Sequence, residues 1–123
     1  MYKLYIIVRT DIKFSIGKLM VHAGHIATVI TEQLLGSEIT SEQRKFYEWY
    51  EDGDKQTKII LKEHGLEDIL HYVSKAQAKN ILSGYVKDAG FYEVPKGTIL
   101  MVGILCTEEE AVELGLDKLK LYG

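Results

Sequence analysis

The order of elements along the chain predicts an α/β fold, a single domain over residues 1–123 built on a mixed four-stranded sheet with helices on both faces. Three observations carry this expectation. Short apolar runs such as Leu4-Tyr5-Ile6-Ile7-Val8 and Ile59-Ile60-Leu61 alternate with stretches of helical period. Two of the three links between successive strands pass through helices, which permits parallel pairing, whereas the third is only a loop, so one strand runs antiparallel. The run Thr98 to Cys106 is almost wholly apolar, as a central strand covered on both faces must be.

The first strand is expected at Lys3 to Arg9, followed by a helix from Ile16 to Leu35 that stops at Gly36. Ser15 is placed to cap that helix. Ile16, Leu19, Met20, Ala23, Ile26, Ala27, Ile30 and Leu34 recur as one apolar stripe, and Lys18, His22 and His25 gather in an arc of about 60° on a non-core face. Lys18 in the first turn opposes the helix dipole, which costs a few tenths of a kcal/mol; binding an anion is one reason for such a cation, and an accident of a solvated surface is the other. Gly24, in mid-helix, costs about 1 kcal/mol against Ala and is expected to admit a neighbouring backbone.

A second helix is expected from Ser41 to Tyr50, opened by a Thr40–Gln43 capping box and carrying Phe46, Tyr47, Trp49 and Tyr50 as packing groups. Glu51-Asp52-Gly53-Asp54 reads as a turn. The second strand covers Thr57 to Lys62. The third helix, Leu66 to Lys79, has acids in its first turn and lysines near its last, as the dipole prefers, and Asn80 suits its stop. A third strand is expected at Ile81 to Val86, then a polar loop to Gly97, then the fourth strand, Thr98 to Cys106. Thr107 and Glu110 form a capping box for a short helix ending near Leu114. The tail Lys118 to Tyr122 reads either as a further edge strand or as an extended segment.

Composition narrows the function classes. No apolar run reaches the roughly 18 residues of a membrane span, and the amino terminus is too short and strand-like for a secretory signal. The lone Cys106 excludes an internal disulfide and reads as a small buried hydrophobe, and these features together favour a reducing cytoplasm. A net charge of −3 argues against a broad, sequence-independent grip on nucleic acid while leaving room for a local basic site. His22-x-x-His25 lacks a third ligand, so no metal site and no cofactor is expected.

Ligands of open α/β sheets collect at the carboxyl ends of strands. Asp11 and Lys18 follow the first strand and Asp88 follows the third. If both strands end on one side, Lys18 and Asp88 can meet and orient a water, stabilise an oxyanion or hold a phosphate. An ordinary surface ion pair is the plainer alternative.

Asp11-Ile12-Lys13-x-x-x-Gly17-Lys18, continuing to Gly24-His25-x-Ala27, resembles the opening of the archaeal and eukaryotic-type peptidyl-tRNA hydrolases. Asp88-Ala89-Gly90, with Gly97-Thr98 and the strand to Ile104, resembles their Asp-Ala-Gly-Arg-Thr-Gln loop and final strand. Trp49, Gly53 and Lys58 match in order between them. The resemblance implies a three-layer α/β/α domain, commonly a homodimer and metal-independent, that hydrolyses the ester joining peptide to tRNA and rescues tRNA from stalled translation. It carries Lys18 and Asp88 over as the catalytic pair, Asp88 orienting water and Lys18 stabilising the oxyanion or a nearby phosphate. His22, His25, Asp11, Tyr92 and Gly90 are the accompanying candidates for binding peptidyl-tRNA.

The departures from the family are specific. Phe91-Tyr92-Glu93 replaces Arg-Thr-Gln, His22 stands where the family has Gln, and Ser15-Ile16 replaces a Gly-Lys pair. A repurposed binding module using the altered rim is the competing expectation. A hydrolase of a smaller ester with His22 as general base is a third.

Overall fold

The computed structural model describes residues 1–36, 40–51 and 56–123. In chain order the elements are β1 (Tyr2–Arg9), α1 (Ile16–Gly36), α2 (Thr40–Tyr50), β2 (Lys58–Glu63), α3 (Leu66–Ala78), β3 (Leu82–Tyr85), β4 (Met101–Thr107), α4 (Glu108–Leu114), a 3-10 turn (Leu116–Lys118) and β5 (Lys120–Leu121). The side chains of the expected Thr40–Gln43 capping box, and residues 52–54 of the expected turn, lie outside the described residues.

The sheet is mixed, in the order β3-β4-β1-β2-β5, with five strands rather than the four expected. The extra strand is the tail. Lys120 and Leu121 pair antiparallel with Lys62 and Leu61, and the Tyr122 N–H extends the pairing to the Ile60 carbonyl at 2.9 Å. This covers an otherwise free edge of β2 with two residues. β1 and β2 are parallel, while β4 runs against both β1 and β3. The carboxyl ends of β1, β2 and β3 therefore share one rim of the sheet, and β4 ends at the other.

Alternation along the strands sorts two cores. Tyr5, Ile7, Val102, Ile104 and Cys106 face α3 and α4, meeting Ile69, Val73, Ala76, Ala111 and Leu114. Leu4, Ile6, Val8, Met101 and Leu105 face α1 and α2, meeting Ile26, Ile30, Leu34 and Trp49. Helices thus cover both faces, in three layers. Burial pushes the Cys106 thiol up to about 12, in keeping with a packing role.

β4 starts at Met101 instead of Thr98 because the preceding residues serve the end of β1. The Arg9 N–H donates to the Leu100 carbonyl at 3.1 Å, and the Arg9 guanidinium reaches the Ile99 carbonyl at 3.3 Å. Thr107 caps α4 as expected, its hydroxyl accepting the Glu110 N–H at 3.1 Å. Asn80 closes α3 in the left-handed region, at φ 57°.

How low α1 sits on the sheet is set by two facing glycines. Gly84 and Gly103 are register partners on β3 and β4. A Cβ at Gly103 would stand 2.3 Å from Ile26 Cγ2, and one at Gly84 would stand 3.0 Å from Val29 Cγ1. Gly24, by contrast, meets nothing within 4 Å, so the neighbouring backbone expected there is not present. Among the described residues no helix is long and apolar enough to cross a membrane.

Candidate functional site

The face of α1 that turns inward differs from the apolar stripe. Its buried residues are Lys18, His22, Ile26, Ile30 and Leu34, a row of i, i+4 steps, whereas Ile16 and Met20 are exposed. Lys18 and His22 therefore do not lie on a non-core face. They are 8% and 3% exposed, and Asp88 opposite them is 6% exposed. Over its first two turns the helix packs against the polar loop after β3, so a charge partner decides its orientation there.

Asp88 is fixed through its backbone. Its N–H donates to the Thr98 carbonyl and its carbonyl accepts the Gly97 N–H, each at 2.8 Å. The carboxylate then faces α1. Oδ2 accepts from Lys18 Nζ at 3.0 Å and from His22 Nε2 at 2.8 Å, and Oδ1 accepts the Gly90 N–H at 2.7 Å. Gly90 has φ 81°, and a Cβ there would lie 2.5 Å from the Lys96 nitrogen, so no side chain fits.

These donors hold the Asp88 carboxyl at about 2, below its ordinary 3.8, the Gly90 N–H foremost, with Lys18 and His22 also acting against the effect of burial. A carboxyl lowered on folding stabilises the native state above its unfolded pKa and ceases to do so as pH falls through its folded one. The gap in unfolding free energy between wild type and Asp88→Asn is therefore expected to hold constant above about pH 4 and to shrink towards pH 2. Denaturant unfolding at stepped pH measures it, and a gap unchanged down to pH 2 counts against the assignment.

An ionised carboxylate only accepts hydrogen bonds, so His22 must carry its proton on Nε2. In the neutral ring Nδ1 then holds a lone pair, and it makes no hydrogen bond among the described residues. The exposed His25 ring stands edge-on to His22, with centroids 5.5 Å apart. Tyr92 lies over the ammonium of Lys18, 4.2 Å from ring centroid to Nζ.

Glu93 reaches back to the start of α1. The Ser15 N–H donates to Oε1 at 2.7 Å and the Ser15 hydroxyl donates to Oε2 at 2.8 Å, which holds the Glu93 carboxyl below its usual range. The Ser15 hydroxyl in turn accepts the Lys18 N–H at 3.1 Å, as an N-cap does. Sequence reasoning treated Ser15 and Glu93 as separate departures from the family pattern. They are the two halves of one contact, and the only trace of it in the sequence was that both positions depart together.

The result is a cleft of about 350 Å³ whose lining includes Lys18, His22, His25, Asp88, Phe91 and Tyr92. Gly90 acts behind it through its N–H. Asp11 is not among its walls. The Asp11 carboxylate is held by the Arg9 guanidinium at 2.7 and 2.8 Å, which keeps its pKa low, and it lies beside Gly65 at the head of α3. Among the described residues no three of His, Cys, Asp and Glu converge to hold a metal ion.

Fold and site together define a layered α/β protein with a lysine, a histidine and an aspartate joined at the carboxyl rim of its sheet. The family model described as Peptidyl-tRNA hydrolase PTH2 matches residues 2–122. A peptidyl-tRNA hydrolase of Staphylothermus marinus is 39% identical over 103 residues, covering 84% of this chain and 80% of the relative. One from Saccharolobus solfataricus is 32% identical over 121 residues, covering 98% and 99%. The chain belongs to the peptidyl-tRNA hydrolase PTH2 family. A solved structure of a protein of unknown function from Agrobacterium tumefaciens shares the fold, with TM-score 0.53 at 11% identity over 99% of this chain and 98% of that one.

Proposed function

We propose that the protein hydrolyses the ester between peptide and tRNA in peptidyl-tRNA, without a metal, at the cleft formed by Lys18, His22 and Asp88. The observation that carries this reading is the convergence of buried Lys18 and His22 on one carboxylate oxygen of buried Asp88, in a chain of this family. The reading includes a cytoplasmic setting, which the lone cysteine and the absence of a long apolar run favour, and assembly as a homodimer, which the family resemblance implies.

The groups divide the work by their chemistry. With a pKa of about 2, Asp88 is too weak a base to take a proton from water at neutral pH. Its Oδ2 instead fixes the ring of His22 through Nε2, which turns Nδ1 to the side of the ring away from the carboxylate, where it meets the attacking water. His22 Nδ1 has the lone pair that takes the proton as the water oxygen bonds to the carbonyl carbon. Negative charge then gathers on the former carbonyl oxygen, where the Lys18 ammonium stabilises it. Collapse breaks the bond to the ribose oxygen, which leaves with the proton from Nδ1. The products are a free peptide acid and tRNA with its hydroxyl restored. The family places glutamine at 22 and threonine at 92. This chain exchanges that hydroxyl for the phenol of Tyr92 and places an imidazole at 22.

The test is release of peptide from a short peptidyl-tRNA in the presence of a chelator. Wild type is expected to be active. His22→Gln keeps a donor to Asp88 but cannot hold the transferred proton, and is expected to lose about 10²-fold or more in kcat. No release by wild type defeats the proposed activity, and an unchanged rate in His22→Gln defeats the proton-transfer role.

A further inference from the structure

A second basic site lies on the same rim, at the far edge of the sheet. Lys62 and Lys120 are direct register partners across the antiparallel β2–β5 pair. Their side chains therefore leave the same face side by side, an arrangement of like charges that destabilises a sheet by itself. Lys118 joins them around an open depression of about 400 Å³, together with Thr10, Glu63 and His64. None of the three lysines has an ion-pair partner among the described residues. The single acid there, Glu63, already accepts the His64 N–H at 2.9 Å. The neighbouring Asp117 lines a different cavity, beside Lys3 and Glu108.

Placement on the fold points to the ligand. Lys62 follows Ile60 by two residues, so it shares the face that packs against α1. It is also one residue from the carboxyl end of β2, on the rim that carries the cleft. Three strand spacings separate β3 from β2 and four separate it from β5, so the lysines stand roughly 15–20 Å from the cleft. A polymer with charges along its length and its ester at one end spans such a distance; a small ester does not.

We propose that Lys62, Lys118 and Lys120 bind phosphates of the RNA whose terminal ester occupies the cleft. The site is a docking point for the ribose–phosphate backbone and takes no part in the chemistry. The inference rests on the proposed function for the nature of the polymer, and it explains how a chain of net charge −3 takes a polyanion. Unpaired cations are collected on one rim, while Glu108, Glu109 and Glu110 sit beyond β4 at the other.

The test compares wild type with the triple variant Lys62→Gln, Lys118→Gln, Lys120→Gln. Binding of deacylated tRNA is followed by fluorescence anisotropy between 50 and 200 mM salt. The variant is expected to bind on the order of ten- to a hundredfold more weakly, with a salt dependence shallower by about two to three in log–log slope. KM for peptidyl-tRNA should rise with kcat retained, and a peptidyl ester of a single nucleoside should react at the wild-type rate. Removing the like-charge pair should leave Tm no lower than in wild type, so weak binding cannot be laid to misfolding. Equal affinity and equal salt slope in the two proteins overturn the proposal. A wild type that hydrolyses neither substrate overturns the proposed activity instead, and the binding comparison still decides the lysine site.

Discussion

Asp88→Ala and Lys18→Ala are each expected to lower kcat/KM for peptidyl-tRNA by at least 10²- to 10³-fold, yet to differ in stability. The rates fall together because the two groups act as one unit. Asp88 sets the tautomer and orientation of His22, which meets the water, and Lys18 supplies the charge that meets the oxyanion. Stability separates them because their surroundings differ. Removing the carboxylate leaves an ammonium only 7% exposed with no ion-pair contact among the described residues, which costs about 3–5 kcal/mol. Removing the ammonium leaves Asp88 with two donors, the Gly90 N–H and His22 Nε2, so the loss is smaller. Initial rates and denaturant midpoints on the two variants decide the matter. Wild-type rates in either variant refute the pair, and equal destabilisation refutes the asymmetry.

The next largest effect is expected from Gly103→Ala, a change far from any reacting atom. The added methyl would meet Ile26 Cγ2 at 2.3 Å, so α1 has to lift or Ile26 has to leave its rotamer. Overpacking of this kind costs about 1–3 kcal/mol. Lys18 and His22 precede Ile26 by two and one i, i+4 steps on the same buried row, so a lifted helix carries both away from Asp88. A displacement near 1 Å is worth about 10²-fold in rate. A fall in kcat well beyond the fall in stability is the expected result. If Tm drops and kcat does not, the height of α1 is set elsewhere.

Most of the fold was legible because its causes are local. The run Ile6-Ile7-Val8, the capping box at Thr107 and the stop at Asn80 each carry their reason within a few residues, and the structure has them there. The antiparallel setting of β4 followed from the short link before it. The fifth strand was left open because two residues, Lys120 and Leu121, offer no periodicity, and their pairing depends on where β2 exposes its edge.

The rotation of α1 was misread for a different reason. A helical wheel ranks residues by apolarity, whereas Lys18 and His22 are buried by a carboxylate seventy residues and sixty-six residues away. The meeting of Lys18 with Asp88 was legible as a possibility, because both follow strands that end on one rim. Asp11 shares that rim, but its pairing with Arg9 could not be seen from spacing alone. The lysine pair across β2 and β5 became visible only once the tail was placed.

β4 runs opposite to its neighbours, and this gives the molecule an electrical orientation. Its carboxyl end delivers the three consecutive glutamates of α4 to the side where β1 begins, where Lys3 pairs with Glu108 at 3.0 Å. The cleft and the free lysines occupy the opposite pole. An approaching polyanion, repelled overall by the net charge of −3, is turned by this asymmetry until the reactive end of the protein leads, and added salt weakens that turning.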